Sequence, residues 1–127
     1  MKDDQIRAAV VFHWELWAAG DLQAEHDNYA DDSVCEYPQS GERIVGRANL
    51  HALRGHHPGK PSGFEVKRIL GSGDLWTTAC VITYHGHPTY TVSTMKFLDG
   101  KVGHKTQHFA HAFDASLWPD QWVQRTR

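Results

Sequence analysis

Between Leu75 and Ala110 the chain alternates three strand-length runs with two very short turns. Leu75–Tyr84 reads as a long strand, His85-Gly86-His87 as a tight hairpin turn, and Thr89–Leu98 as the next strand. Asp99-Gly100 is a second hairpin turn, of the two-residue kind that joins antiparallel strands, and Lys101–Ala110 is the last strand. Such short connections leave no room for a crossover, so this part of the chain predicts an antiparallel meander. Phe64–Leu70 adds a strand before it, closed by a turn over 71–74.

The first half has a different period. Ile6, Val10, His13 and Trp17 recur at spacings of four, three and four, flanked by Ala9 and Trp14, which predicts a helix over 4–19. Gly20 suits its C-cap and Asp21 the N-cap of a second helix over 22–30 that points Leu22, His26 and Tyr29 inward. Asp31-Asp32-Ser33 read as a turn, Val34–Tyr37 as a short strand, and Pro38 ends its ladder because it has no N–H. Arg43–Val45 is extended. Gly46 opens a third helix over 47–56 with Leu50 and Leu53 inward, stopped by Pro58. Helices followed by a meander give an α+β chain, and 127 residues suit one domain.

Several function classes are disfavoured. A net charge of −2 without a long basic run argues against nucleic acid as a partner. No apolar run approaches the roughly 18 residues that span a bilayer. The first residues lack a signal-peptide pattern, and Cys35 and Cys80 fall inside strands, which predicts buried thiols of a cytoplasmic protein. Ten histidines raise the question of a metal. His56-His57, His85-Gly86-His87 and His104, His108 and His111 match no established ligand spacing, so neither a metal nor a cofactor is expected.

The pair Gly20-Asp21, the Tyr29–Asp32 segment, the strand ending at Pro38, the glycine at 46, the run from Met95 to Val102, Thr106-Gln107 and the tail tryptophans 118 and 122 together resemble the nuclear transport factor 2-like superfamily. Within it the chain is most similar to the SnoaL-like, polyketide-cyclase-related group. The resemblance implies a cone-shaped, cystatin-like fold: three N-terminal helices packed on a strongly curved, mixed but mainly antiparallel sheet. It also implies a pocket between helix 1 and the concave face. The tail, Phe113 through Val123, holds Leu117, Trp118 and Trp122 and is expected to pack over the sheet edge or another subunit.

Steroid isomerases of that superfamily carry an oxyanion-binding tyrosine eight residues before the aspartate of the Gly-Asp pair, which falls on His13. Their aspartate base falls on Tyr37, and their second oxyanion donor on Ser93. The same correspondence implies a pocket face of Trp76, Thr78, Cys80, Ile82, Tyr84, Met95, Lys105, Gln107 and Phe109. Many SnoaL-like relatives have an acidic residue where this chain has Lys105. A carboxylate-base isomerase route is therefore disfavoured, since a phenol titrates near 10 and cannot replace an aspartate base.

Two readings of His13 stand: an acid–base group, or a core histidine bonded to a neighbour such as Tyr37. Lys105 either faces the pocket, where it suits a carboxylate, enolate or phenolate, or is turned outward by a bulge that brings in His104 and His108. Tyr37, Ser93 and Gln107 suit ligand orientation, with Trp17 and His26 as further wall residues. The function expected is a small-molecule pocket protein acting by acid–base chemistry on an apolar or aromatic oxygenated ligand. The alternatives are ligand binding without catalysis and a homodimer with a structural role. Tyr90 and Val92 on the outward face fit a dimer.

Overall fold

A computed structural model describes residues 2–56, 61–115 and 120–126, without the side chains of Leu22 and Asp120. Three helices precede and interrupt six strands: α1 (Asp3–Ala19), α2 (Leu22–His26), β1 (Tyr29–Tyr37), β2 (Glu42–Val45), α3 (Arg47–Gly55), β3 (Gly63–Ser72), β4 (Leu75–Tyr84), β5 (His87–Leu98) and β6 (Lys101–His111). The sheet order is β2-β1-β6-β5-β4-β3. Every neighbouring pair is antiparallel except β1 with β6, so the sheet is mixed but mainly antiparallel. The expected α+β architecture is the one observed.

The hairpin turns behave as their residues predict. His85-Gly86 and Asp99-Gly100 all have positive φ, the signature of a turn whose twist matches the flanking strands. Gly20 caps α1 in the left-handed conformation, and the Asp21 side chain accepts from the Ala24 N–H at 3.1 Å. Asp3 accepts from the Gly73 N–H at 2.9 Å, and the Arg7 guanidinium donates to the Ile69 carbonyl at 2.9 Å, tying α1 to β3 and the turn after it. Gly71 lies so close under Trp76 that a Cβ there would fall 2.5 Å from the indole ring.

The core fills the space between α1, α3 and one face of the sheet. Ile6, Val10 and Trp14 meet Tyr29, Cys35, Leu50, Trp76, Cys80, Ile82, Met95, Phe97 and Val102. Cys35 and Cys80 are buried and unbridged.

Three expectations need correction. The second helix is only five residues long, and Tyr29, Asp31, Asp32 and Ser33 belong to β1 rather than to a helix end and a turn. β1 is bulged against β6 between Tyr29 and Val34, which hides the strand's period. Leu53 is 51% exposed, while Arg54 turns inward beside Leu50. A bulge between Lys96 and Phe97 breaks the alternation of β6, so Val102 and Lys105 are both buried although they differ in parity. The bulge falls early enough that Lys105, Gln107 and Phe109 keep the inward face, and His108 is exposed. Leu117 and Trp118 lie outside the described residues; Trp122 is exposed.

Pro38 ends β1, yet the ladder does not stop there. The Gln39 side-chain amide donates to the Phe109 carbonyl and accepts from its N–H, extending the pairing with β6 by one side chain.

Candidate functional site

Among the ionisable side chains of the interior, five come from five different elements. His13 comes from α1, Glu25 from α2, Tyr29 from β1, Arg54 from α3 and Lys105 from β6. All are essentially buried except the Arg54 side chain, which is 16% exposed. Buried polar groups are retained only when paired or used, so each partner matters.

Trp14 is the hub. Its indole N–H donates to Thr78 Oγ1 at 3.1 Å. His13 meets it edge-on at 4.9 Å, and the Lys105 ammonium stands over its face at 5.0 Å. Tyr29 closes the group: its ring is 5.7 Å from that of His13, and its hydroxyl accepts a hydrogen bond from Lys105 Nζ at 3.1 Å.

Glu25 and Arg54 form a buried ion pair without the alignment of a good hydrogen bond. The Glu25 carboxylate lies 3.9 Å from His13 Nε2. Neither ring nitrogen of His13 has a hydrogen-bond partner, and Tyr37 is not bonded to it. Burial, then Lys105 and Arg54, hold its pKa well below 6.5, so the imidazole is neutral at pH 7. Burial lowers Lys105 to about 8, with Arg54 the next cause. Burial also keeps Tyr29 and Tyr37 protonated far above pH 10, and raises Cys80 to about 11.

Toward the β6 C-terminal end the interior is neutral. Gln107 Nε2 donates to Ser93 Oγ at 2.8 Å, and both are buried. Tyr37 stacks on Phe109 at 6.0 Å. Beyond them opens a cleft of about 680 Å³ lined by Tyr37, Ile44, Leu53 and Phe109 with a polar rim that includes Gln39 and Arg43. The exposed Leu53 thus faces this cleft.

The sequence-derived candidates distribute unevenly. His13, Lys105, Cys80, Ile82, Trp76, Met95, Ser93 and Gln107 are all buried on the concave side, with Tyr37, Tyr84 and Phe109 partly buried there. Trp17 is partly buried against Phe64, 5.2 Å away. His26 instead faces His51 at 4.5 Å, between α2 and α3. Glu25 and Arg54 were not among the candidates. A five-residue helix shows no readable period, and Leu53 masks the i, i+4 spacing from Leu50 to Arg54. No three His, Cys, Asp or Glu side chains converge as a metal site among the described residues, and no helix there is long and apolar enough to cross a membrane.

A family model described as a SnoaL-like domain matches residues 10–115. The chain belongs to the SnoaL-like family. A protein of unknown function from Burkholderia xenovorans, described as NTF-2 like, is 58% identical over all of this chain and 99% of its own, with a TM-score of 0.92. A protein from Kribbella flavida provisionally assigned as a ketosteroid isomerase superposes with a TM-score of 0.90 at 24% identity, covering 100% of this chain and 94% of its own. An epoxide hydrolase from M. tuberculosis, described as LEH-like, superposes with a TM-score of 0.67 at 18% identity, covering 86% and 84%. At those lower identities the likeness shows the SnoaL-like chain's fold alone. Among curated proteins none matches significantly.

Proposed function

We propose that this SnoaL-like protein is a cofactor-independent enzyme that moves a proton at a carbon next to a carbonyl in an apolar, oxygenated small molecule. The observation that carries this reading is His13, which is 1% exposed and has two unpartnered ring nitrogens. A buried imidazole without a partner is costly to stability and suited to proton transfer. The Glu25 carboxylate on its Nε2 side favours the Nε2–H tautomer, leaving Nδ1 to take the proton.

In the proposed step, Nδ1 takes the proton and the electrons of the C–H bond move onto the carbonyl oxygen. Ser93, with its hydroxyl proton uncommitted by the Gln107 bond, and the neutral Tyr37 phenol then donate to the enolate. Return of the proton from the His13 imidazolium to another carbon completes an isomerisation; its transfer instead to a β-hydroxyl, which leaves as water as the enolate electrons form the C=C bond, completes a dehydration. Neither needs a carboxylate base. The ketosteroid isomerase and epoxide hydrolase assignments of structural neighbours are consistent with small oxygenated ligands in this fold. The ligand enters through the cleft beside Tyr37 and Phe109.

The test is turnover across a panel of steroid, terpenoid and aromatic ketones, followed by mass spectrometry, in the native protein and His13→Gln. Loss of at least about 100-fold in turnover with binding retained supports the role. Unchanged turnover in the variant rejects it, and binding without conversion across the panel favours a non-catalytic carrier.

A second reading concerns assembly. Tyr90 and Val92 on the outward sheet face are 41% and 43% exposed, which favours pairing with a second copy. A monomer by light scattering at micromolar concentration counts against it.

A further inference from the structure

The proposed reaction leaves Lys105 unused, and the interior charges do not cancel. Arg54 is matched by Glu25. His13 is neutral and Tyr29 is a phenol. Lys105 is 0% exposed and has no carboxylate partner among the described residues. Its hydrogen bond goes to the neutral Tyr29 hydroxyl, and its remaining neighbours include the faces of Trp14 and Tyr29.

An ammonium has three protons to donate, and one is used here. Aromatic faces attract a cation but accept no full hydrogen bond. Because Lys105 donates to the Tyr29 oxygen, the Tyr29 proton is also free to point elsewhere. Two donors, one of them charged, therefore converge in a water-poor site where no carboxylate among the described residues stands within ion-pairing distance of Lys105. A chain with no use for this charge would place an apolar side chain here, since a buried unpaired lysine is strongly disfavoured.

We infer that Lys105 and the Tyr29 hydroxyl form a carboxylate-binding seat, and that the molecules this pocket accepts are apolar monocarboxylates. The acid group would go in first, past Gln107 and Ser93, with the apolar body left toward Tyr37, Phe109 and the open cleft. A carboxylate neutralises the excess charge and accepts from both donors. It also offsets the effect of Lys105 on His13, raising the imidazole's basicity only when ligand is present. The inference rests on the reading that the interior receives a ligand, and not on the catalytic role of His13.

Binding of 2-naphthoate and of its neutral isostere 2-naphthamide, measured by calorimetry at pH 7, tests the seat. The native protein is expected to bind the acid at least tenfold more tightly. Lys105→Met, shown to be folded by circular dichroism, loses that preference; Lys105→Gln serves if the first variant does not fold. His13→Gln keeps it. The preference also narrows between pH 7 and 9.5 as Lys105 loses its proton. Tyr29 and Cys35 on β1, Cys80 on β4, Glu25 on α2, Arg54 on α3 and His13 on α1 all face or sense this group, and the lysine variants separate its titration from theirs. Equal affinity for acid and amide, a preference that survives in Lys105→Met, or binding of neither probe by the folded protein overturns the inference. Loss of turnover in His13→Gln bears on the proposed reaction alone.

Discussion

Lys105 Nζ donates to the Tyr29 hydroxyl at 3.1 Å across the parallel pairing of β6 with β1, and both side chains are buried. The contact joins a lysine to a neutral phenol where an anion is the usual partner. Around it stand the other interior groups, His13, Glu25 and Arg54, and their energetics can be tested one at a time.

Replacing Lys105 with Met should stabilise the protein at neutral pH. The folded state holds Lys105 at about 8 rather than 10.5, so between those values the unfolded chain binds more protons. Native stability attributable to Lys105 therefore rises with pH from 8 to 10.5 and its penalty is full below 8. That shift corresponds to about 3 kcal/mol. Denaturant melts of both proteins at pH 7, 8.5 and 9.5 should show the variant's advantage shrinking with pH. Taking the difference removes the opposing contribution of Cys80, which is raised to about 11.

Glu25→Gln should destabilise by about 3 kcal/mol, because it leaves the largely buried Arg54 guanidinium without its counter-charge. Adding Arg54→Met to the same chain should recover most of the loss. Chemical denaturation of both singles and the double variant measures the coupling.

His13→Leu should raise stability by about 1–3 kcal/mol, since it removes two unpartnered buried nitrogens. The native protein should also weaken as pH falls below 6.5. There the unfolded imidazole takes a proton that the folded one refuses, so the unfolded state is favoured. Thermal melts at pH 5 and 7 should show the leucine variant losing less.

Thr78→Val should cost about 1–3 kcal/mol by leaving the Trp14 indole N–H without its acceptor. A red-edge change in tryptophan fluorescence would accompany it, as Trp14 sits between His13 and Lys105.

Much of this architecture was legible because local chemistry and long-range pairing agree. The Asp99-Gly100 and His85-Gly86 turns fix the meander, and the α1 stripe places His13 inside. The strand period left the face of Lys105 open, and the family resemblance assigned it, with Gln107 and Phe109, to the interior. Legibility failed where a bulge or a short element hides the period. Tyr29 looked like the last turn of a helix because β1 is bulged just after it. Glu25 and Arg54 look like solvated charges, and only their meeting across α2 and α3 makes them interior residues. A pair separated by 29 positions leaves no mark on either helix alone.

The most direct measurement of the central claim is deuterium exchange, followed by NMR in heavy water, at the carbon next to the ketone of 4-oxo-4-phenylbutanoate. This molecule carries both the carboxylate that Lys105 is expected to seat and a proton for His13 to remove. The native protein should accelerate exchange over buffer. His13→Gln should lose that acceleration by at least about 100-fold at unchanged affinity, and Lys105→Met should lose affinity. Exchange no faster than in buffer, or equally fast in His13→Gln, would contradict the account.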